Sequence, residues 1–374
     1  MLKGIHLTLM IGPAVPAPVP KMVIEALTSI QVTNSKDRSG FQLSFNLAKN
    51  SPVLTMMLPA GYFDPISTRV IIVVTVNGLP NVIMDGLVTN QEFSPSNETG
   101  KTMLTLTGED LSLAMDLVQK VVPYPAMPTA VKVLAILAPY AALGIVPMVI
   151  PPIVDVVKSP TDGWQSQKST DRQYIQSQAQ TVGYIFMMLP GPLPGQNIAY
   201  FGPDANLPIP QSAVSINLDA HTNVESLSFS LNGLAKVIRI YNILDPVTRK
   251  ITIPVPVPNI SPFKPPLGAR PPMPAKIEYA QQNADQSPDE TAQEIIGFAI
   301  NNSASITASG GLDVMRYRSL LRPKMLVGVR GAGLAYDGLY YVDSVTHNIK
   351  KGEYKQSFTL SRDGLVTNTP VVLP

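Results

Sequence analysis

Three histidines, His6, His221 and His347, are the only imidazoles in the chain, and no two stand at the i, i+4 spacing with which one helix face grips a metal ion. Cysteine is absent, which removes a thiolate nucleophile, a zinc ribbon and any disulfide framework, and fits folding in a reducing compartment. Each histidine is therefore expected as a satisfied or solvent-facing strand residue. Glu109 and Asp110 offer two carboxylates for general acid/base work. Adjacent helical residues point to different sides, however, and a place in the first turn of a helix explains both as partners of its dipole. No GxSxG, GxxxxGK[ST] or GxGxxG pattern occurs. The run "GVRGAG", Gly328 to Gly333, is glycine-rich, but Arg330 stands among strand residues and no helix follows to receive a phosphate. Fifteen methionines are scattered as core filler. No catalytic residue, cofactor or metal site is expected.

The elements around these residues must then serve some other purpose. A chain of 374 residues with 45% hydrophobic and 14% charged side chains buries a sizeable core and predicts two or three packed units. Twenty-eight Lys and Arg against 26 Asp and Glu, with no basic cluster longer than Lys350-Lys351, mark neither a nucleic-acid surface nor an anionic lipid surface. Composition is unusual in its 37 prolines, and they decide how the uncharged stretch Val133 to Val154 is read. Its length suits a bilayer crossing, but Pro139, Pro147, Pro151 and Pro152 each remove a backbone donor that lipid does not replace. A buried element is expected instead: a helix over Ala130–Ala138, a short turn over Tyr140–Gly144, then an extended segment. At the N-terminus the apolar core Leu7–Ile11 is too short for a signal peptide, so a first strand is expected there.

Strand signals dominate both ends. "GFQLSFNL" alternates Phe41, Leu43, Phe45 and Leu47 with polar residues, and "RVIIVVTVNG" is apolar on both faces, as a covered strand is. Leu111, Ala114, Met115 and Val118 follow at helical spacing. In the second half "SLSFSLNG", "KVIRIYNILDPVTRKITIPV", "GLYYVDSVTHNI" and "YKQSFTLS" predict further strands. Asp85-Gly86-Leu87 precedes Gly100 as Asp337-Gly338-Leu339 precedes Gly352, each followed by an alternating strand, which suggests a duplicated small β-domain. Between the halves, Thr170 with Gln173 predicts a capping box and "GYIFMML" a strand. Pro254 to Pro274 excludes a central strand or helix and, as polyproline II, would span roughly 65 Å. Ser287 and Pro288 open a predicted helix through Ala299.

This order of elements resembles the baseplate hub of contractile tails, the phage late control protein D family, whose fold also forms the hub of type VI secretion spikes. The resemblance is carried by Gly338, Tyr340 and Val342, then His347, Gly352 and Tyr354, by "TLTGEDLSLAMDL" (Thr105–Leu117) and by "DRQYIQSQAQTVGYIF" (Asp171–Phe186). It implies a mainly β chain with an α+β insertion: two tube-like β-barrel domains per chain plus a helix-containing insertion domain. The expected divisions are 1–118 for the first tube-like domain, 119–212 for the insertion, and 213–253 with 303–366 for the second tube-like domain. Residues 254–302 form a Pro-rich segment and helix of the insertion region, and 367–374 a tail.

What the resemblance implies for function is a non-enzymatic symmetry adaptor. A homotrimer makes a ring of six similar domains, with inner tube protein on one side, a separate trimeric spike on the other, and further baseplate proteins around it. Direct nucleic-acid recognition and a transmembrane span are not expected, and assembly begins in the bacterial cytoplasm. Closed rings also hide sheet edges. Expected ring contacts are Asp85, Gly86, Glu98, Gly100, Lys101, Asp337, Gly338, Lys350, Gly352 and Glu353, taken as hairpin tips, with the signs of Glu98/Lys101 and Lys350/Glu353 reversed to suit alternating neighbours. Two other classes stand beside this one. A tail-associated cell-wall hydrolase needs paired carboxylates or a metal that the sequence does not display, and a membrane-associated structural protein would use the Val133–Val154 run.

Overall fold

The computed structural model describes residues 4–13, 15–36, 38–98, 101–157, 166–205, 207–244, 252–261, 263–280, 288–301 and 304–368. The first part of the chain forms β1 (Ile5–Pro13), β2 (Ala17–Pro18), α1 (Lys21–Ala26), β3 (Leu27–Asn34), β4 (Gly40–Leu47), β5 (Thr68–Val76), β6 (Leu79–Ser94) and β7 (Thr102–Asp110). Period-two alternation places Phe41, Leu43, Phe45 and Leu47 of β4 in the core while Gln42 and Asn46 face water. β5, apolar on both faces, lies between β1 and β6 and is buried along almost its whole length.

The helix expected after Glu109 is a single 3₁₀ turn, Leu111–Met115. Glu109 still belongs to β7, where Arg38 and Arg172 hold its carboxylate, rather than to a helical first turn. Asp110 is the cap, accepting from the Ser112 amide at 2.9 Å. Leu111 and Met115 are buried, whereas Val118 is exposed beyond the turn.

Next come β8 (Val122–Pro123), α2 (Thr129–Leu137), a 3₁₀ turn (Ala138–Leu143), β9 (Ile145–Val149), β10 (Ser166–Gln167), α3 (Asp171–Thr181), β11 (Tyr184–Pro190) and β12 (Asn197–Pro203). The uncharged run thus folds as helix, turn and strand. Val133, Ile136, Leu137 and Ile145 pack with Ile175, Phe186 and Phe201 in a core of their own. Among the described residues no helix is long and apolar enough to cross a membrane. Thr170 caps α3 by accepting from the Gln173 amide at 3.3 Å.

The remainder forms β13 (Leu207–Ser215), β14 (Val224–Leu231), β15 (Val237–Leu244), β16 (Thr252–Pro258), β17 (Gly268–Arg270), β18 (Lys276–Tyr279), α4 (Pro288–Ile300), β19 (Ile306–Asp313), α5 (Val314–Tyr317), β20 (Met325–Arg330), β21 (Gly338–Lys350), β22 (Glu353–Arg362) and β23 (Leu365–Thr367). Two sequence expectations change here. β15, expected in the second tube-like domain, and β16 do not join the large sheet that holds β14, β19, β20, β21 and β22; with β18 they make a separate one, in the order β16-β15-β18. The start of the Pro-rich stretch is likewise a paired strand rather than a polyproline span. Pro254, Pro256 and Pro258 stand two apart opposite Asn242, Ile240 and Ile238. Their three missing donors therefore fall on one side, and pairing with β15 is compatible only with that side facing outward at a sheet edge. The expected Ser287 cap and Asp245-Pro246 turn lie outside the described residues.

Thirteen strands make one continuous sheet, β14-β19-β22-β21-β3-β4-β7-β6-β5-β1-β2, with β20 on β21 and β13 on β20. Within it a repeat is plain: β3-β4-β7-β6-β5-β1 has the same chain-order topology as β14-β19-β22-β21-β20-β13. Irregularities repeat too. A bulge at Thr28 in β3 matches one at Glu225 in β14, and a bulge at Thr89 in β6 matches one at Asp343 in β21. The repeat departs at its end, since β1 pairs antiparallel with β5 but β13 pairs parallel with β20. Both halves feed one hydrophobic core.

Superposed by strand register, Phe45 and Leu312 occupy the same position, each fully buried. Phe45→Ala should cost about 3–5 kcal/mol and Leu312→Ala about 2–5 kcal/mol, measured as shifts in the midpoint of urea unfolding at unchanged slope.

Candidate assembly site

The two halves meet where β21 changes partner. Its first residues pair with β20, and from Val345 to Lys350 its free edge pairs antiparallel with Asn34 to Ser29 of β3. Cross-strand Thr33 and Thr346 hydroxyls lie 3.2 Å apart. On the buried face Val345 sits over the core with Ile30 and Val32. His347 is buried there as well, its Nδ1 2.8 Å from the Tyr354 hydroxyl and 3.3 Å from Gln356 Nε2. Gln356 in turn clasps the Leu321 backbone, donating at 2.9 Å and accepting at 3.0 Å. Burial pushes the imidazole down to about 4, so it is neutral at this seam, as a satisfied strand histidine.

The insertion is latched to the sheet by buried charge. Arg69 on β5 donates twice to Asp85 on β6, Nε to Oδ1 and Nη2 to Oδ2, each at 2.7 Å. Asn197 of β12 adds a third donor to Asp85 at 2.7 Å, and Arg69 also reaches the Gly195 carbonyl at 3.1 Å. A second latch centres on Asp204, which accepts from Lys264 at 2.8 Å and from Lys324. Burial alone would raise that carboxyl, but Lys324 and Lys264 outweigh it and hold it at about 2. Nearby Asp343 is pushed up by its own burial, with Lys264 3.9 Å away. Both carboxylates are spoken for by lysines, and among the described residues no group of His, Asp or Glu stands ready to hold a metal.

The residues expected as hairpin tips are placed unequally. Asp85 and Gly86 lie in mid-strand, not in a turn, and Asp85 is buried. A Cβ on Gly86 would stand 2.0 Å from the Glu109 carbonyl oxygen, so glycine here lets β6 and β7 approach closely. By register Asp85-Gly86 matches Leu339-Tyr340, so the Asp-Gly-Leu likeness that suggested the repeat is two residues out of phase with it. Asp337 precedes β21 and accepts from the Ala332 amide at 2.8 Å, and Gly338 opens the strand, buried. True tips are formed by Glu98 and Lys101, which are exposed and paired with each other, and by Lys350, Gly352 and Glu353 between β21 and β22. Gly352 has φ +83, the left-handed turn position. Gly100 lies outside the described residues. Lys101 and Glu353 do occupy equivalent positions with opposite signs, whereas Glu98 sits in a longer loop that has no counterpart. Lys350 and Gly352 also line an apolar groove of about 310 Å³ with Ile5, Leu7, Ile24 and Ile349. Sequence reasoning missed Arg69, Asn197, Asp204, Lys264 and Lys324, whose partners are far away in the chain.

The fold itself is known. Over 97% of this chain and 98% of the other, it superposes on a tail protein of Neisseria meningitidis MC58 with a TM-score of 0.61 at 13% identity. The chain has the tail-protein fold. A 43 kDa tail protein of prophage MuSo2 from Shewanella oneidensis matches with a TM-score of 0.59 at 11% identity, covering 96% of this chain and 98% of that one. An Escherichia coli type VI secretion component, c3393, described as similar to the T4 bacteriophage tail proteins gp27 and gp5, matches at 0.53 and 10% identity, over 93% and 77%. No protein-family model matches the chain, and no curated protein matches it. The tail-protein fold is thus preserved here where sequence likeness is nearly gone.

Two outcomes test the site. Asp85→Ala removes the carboxylate that faces the buried Arg69 guanidinium and should destabilise by about 3–5 kcal/mol, read by chemical denaturation. The imidazole of His347 has a folded pKa below its unfolded value near 6.5. Its contribution is therefore complete above pH 6.5 and is lost as pH falls from there toward 4, up to about 3 kcal/mol. His347→Gln should flatten the stability profile across that window.

Proposed function

We propose that this chain is the structural hub of a contractile injection machine, a homotrimer that adapts a sixfold inner tube to a threefold spike. The observation that carries the reading is the repeat. One protomer holds two sheets of the same strand order and the same two bulges, joined edge to edge, and three such protomers supply six similar domains. Likeness to tail proteins over nearly the full chain supports the same role. The two half-sheets serve as tube-like barrels, and the insertion, latched through Asp85 and Asp204, braces them from outside the ring. Its partners in this reading are the inner tube protein above, a separate trimeric spike below, and neighbouring baseplate proteins, in a particle assembled in the bacterial cytoplasm. The hub works by geometry: it transmits load and matches symmetry, and no bond is made or broken on it.

Light scattering on the purified chain, followed by end-view class averages, tests this. Three chains of 40.2 kDa, about 121 kDa in all, showing a six-lobed ring are expected. A stable monomer at high protein concentration would contradict it.

A further inference from the structure

We infer that protomers join through one specified pair of sheet edges: the end of β6 in one chain, Gln91 to Ser94, adds antiparallel to β14, Leu231 to Ser228, of a second copy. The inference deepens the hub reading and rests on it, naming which strands meet and in what register.

The internal seam sets the pattern. β21 turns its free edge to β3. In the repeat, β21 corresponds to β6 and β3 to β14, with bulges at the same places to set the phase. Matching the bulges makes Thr89 equivalent to Asp343, so Gln91, Glu92, Phe93 and Ser94 correspond to Val345, Thr346, His347 and Asn348. Matching Glu225 with Thr28 makes Ser228, Phe229, Ser230 and Leu231 correspond to Gln31, Val32, Thr33 and Asn34. The seam Val345↔Asn34, Thr346↔Thr33, His347↔Val32 and Asn348↔Gln31 then translates to Gln91↔Leu231, Glu92↔Ser230, Phe93↔Phe229 and Ser94↔Ser228 between two chains.

Among the described residues both edges stand open in the protomer. The β5–β6 ladder ends at Leu87, and β14 is the outermost strand of the large sheet. Exposed edges of this length invite pairing unless covered, and an added strand supplies the missing partners. The side chains agree with the assignment. Phe93 is 39% exposed where His347 is 3% exposed. Leu227 and Phe229 are half-buried where their counterparts Ile30 and Val32 are fully covered. Phe93, Leu227 and Phe229 are thus apolar and less covered than their counterparts in the internal seam, while Gln91 stands where Val345 is buried. Because β6 meets β14 rather than another β6, the contact is head-to-tail, the type that generates a ring when its rotation closes.

The chain has no cysteine, so introduced thiols report the register directly. Thr33 and Thr346 show that this type of cross-strand pair brings side-chain oxygens to 3.2 Å, within reach of a disulfide. The doubly substituted Thr33→Cys/Thr346→Cys chain is the intrachain control. Under mild oxidation the Glu92→Cys/Ser230→Cys chain should migrate on a non-reducing gel as a three-chain species that reductant returns to one chain. A stronger cross-link in the off-register Glu92→Cys/Ser226→Cys chain, or a disulfide-linked pair from Glu92→Cys alone, would overturn the assignment. A trimer by light scattering in which the control forms its disulfide but the Glu92→Cys/Ser230→Cys chain does not cross-link would overturn the seam and leave the hub reading standing. A monomer with no cross-link would overturn both.

Discussion

Backbone hydrogen bonding along a sheet edge is the constraint on which the rest of this molecule depends. A strand that ends a sheet leaves a row of donors and acceptors unmet, and in a folded protein these must be paired, covered or given to water. Here β21 escapes its first neighbour at a bulge and offers its freed edge to β3. That single pairing turns two half-sheets into one sheet of thirteen strands and merges their apolar faces into one core. A bulge is what makes it work, since one extra residue at Asp343 bends the strand away from β20 without losing its pairing to β22.

The insertion is held differently. Its core is separate, and it is joined to the sheets through the buried charges around Asp85 and Asp204. Such ion pairs add little net stability over an apolar contact, but they penalise any docking in which a partner is missing. They therefore fix orientation more than they add strength. Asp204 shows the balance well: burial would neutralise it, and two lysines keep it charged.

Much of the fold was legible from residues alone. The alternation in β4, the two-sided apolarity of β5, the helix cap at Thr170 and the prolines that break Val133–Val154 each follow from local geometry, and each element formed, the cap through the Thr170 hydroxyl and Gln173 amide. The misreadings share a cause. Leu111 to Val118 has helical spacing, but Glu109 stays in β7 with Arg38 and Arg172, and only a single turn capped by Asp110 forms. Pro254 to Pro258 looks like a polyproline span until β15 is placed beside it. In each case the deciding partner is distant in sequence.

What the sequence by itself determined is the class of element over most of the chain, because that depends on neighbours within a few residues. The duplication was visible only as a faint echo. Its true phase, set by paired bulges rather than by the Asp-Gly-Leu likeness, was decided by the tertiary structure, because a bulge exists only relative to the strand opposite. The same holds for which carboxylate is buried, which edge is free and which is covered: these are properties of pairs of strands, and a single chain of letters does not say which pairs will meet.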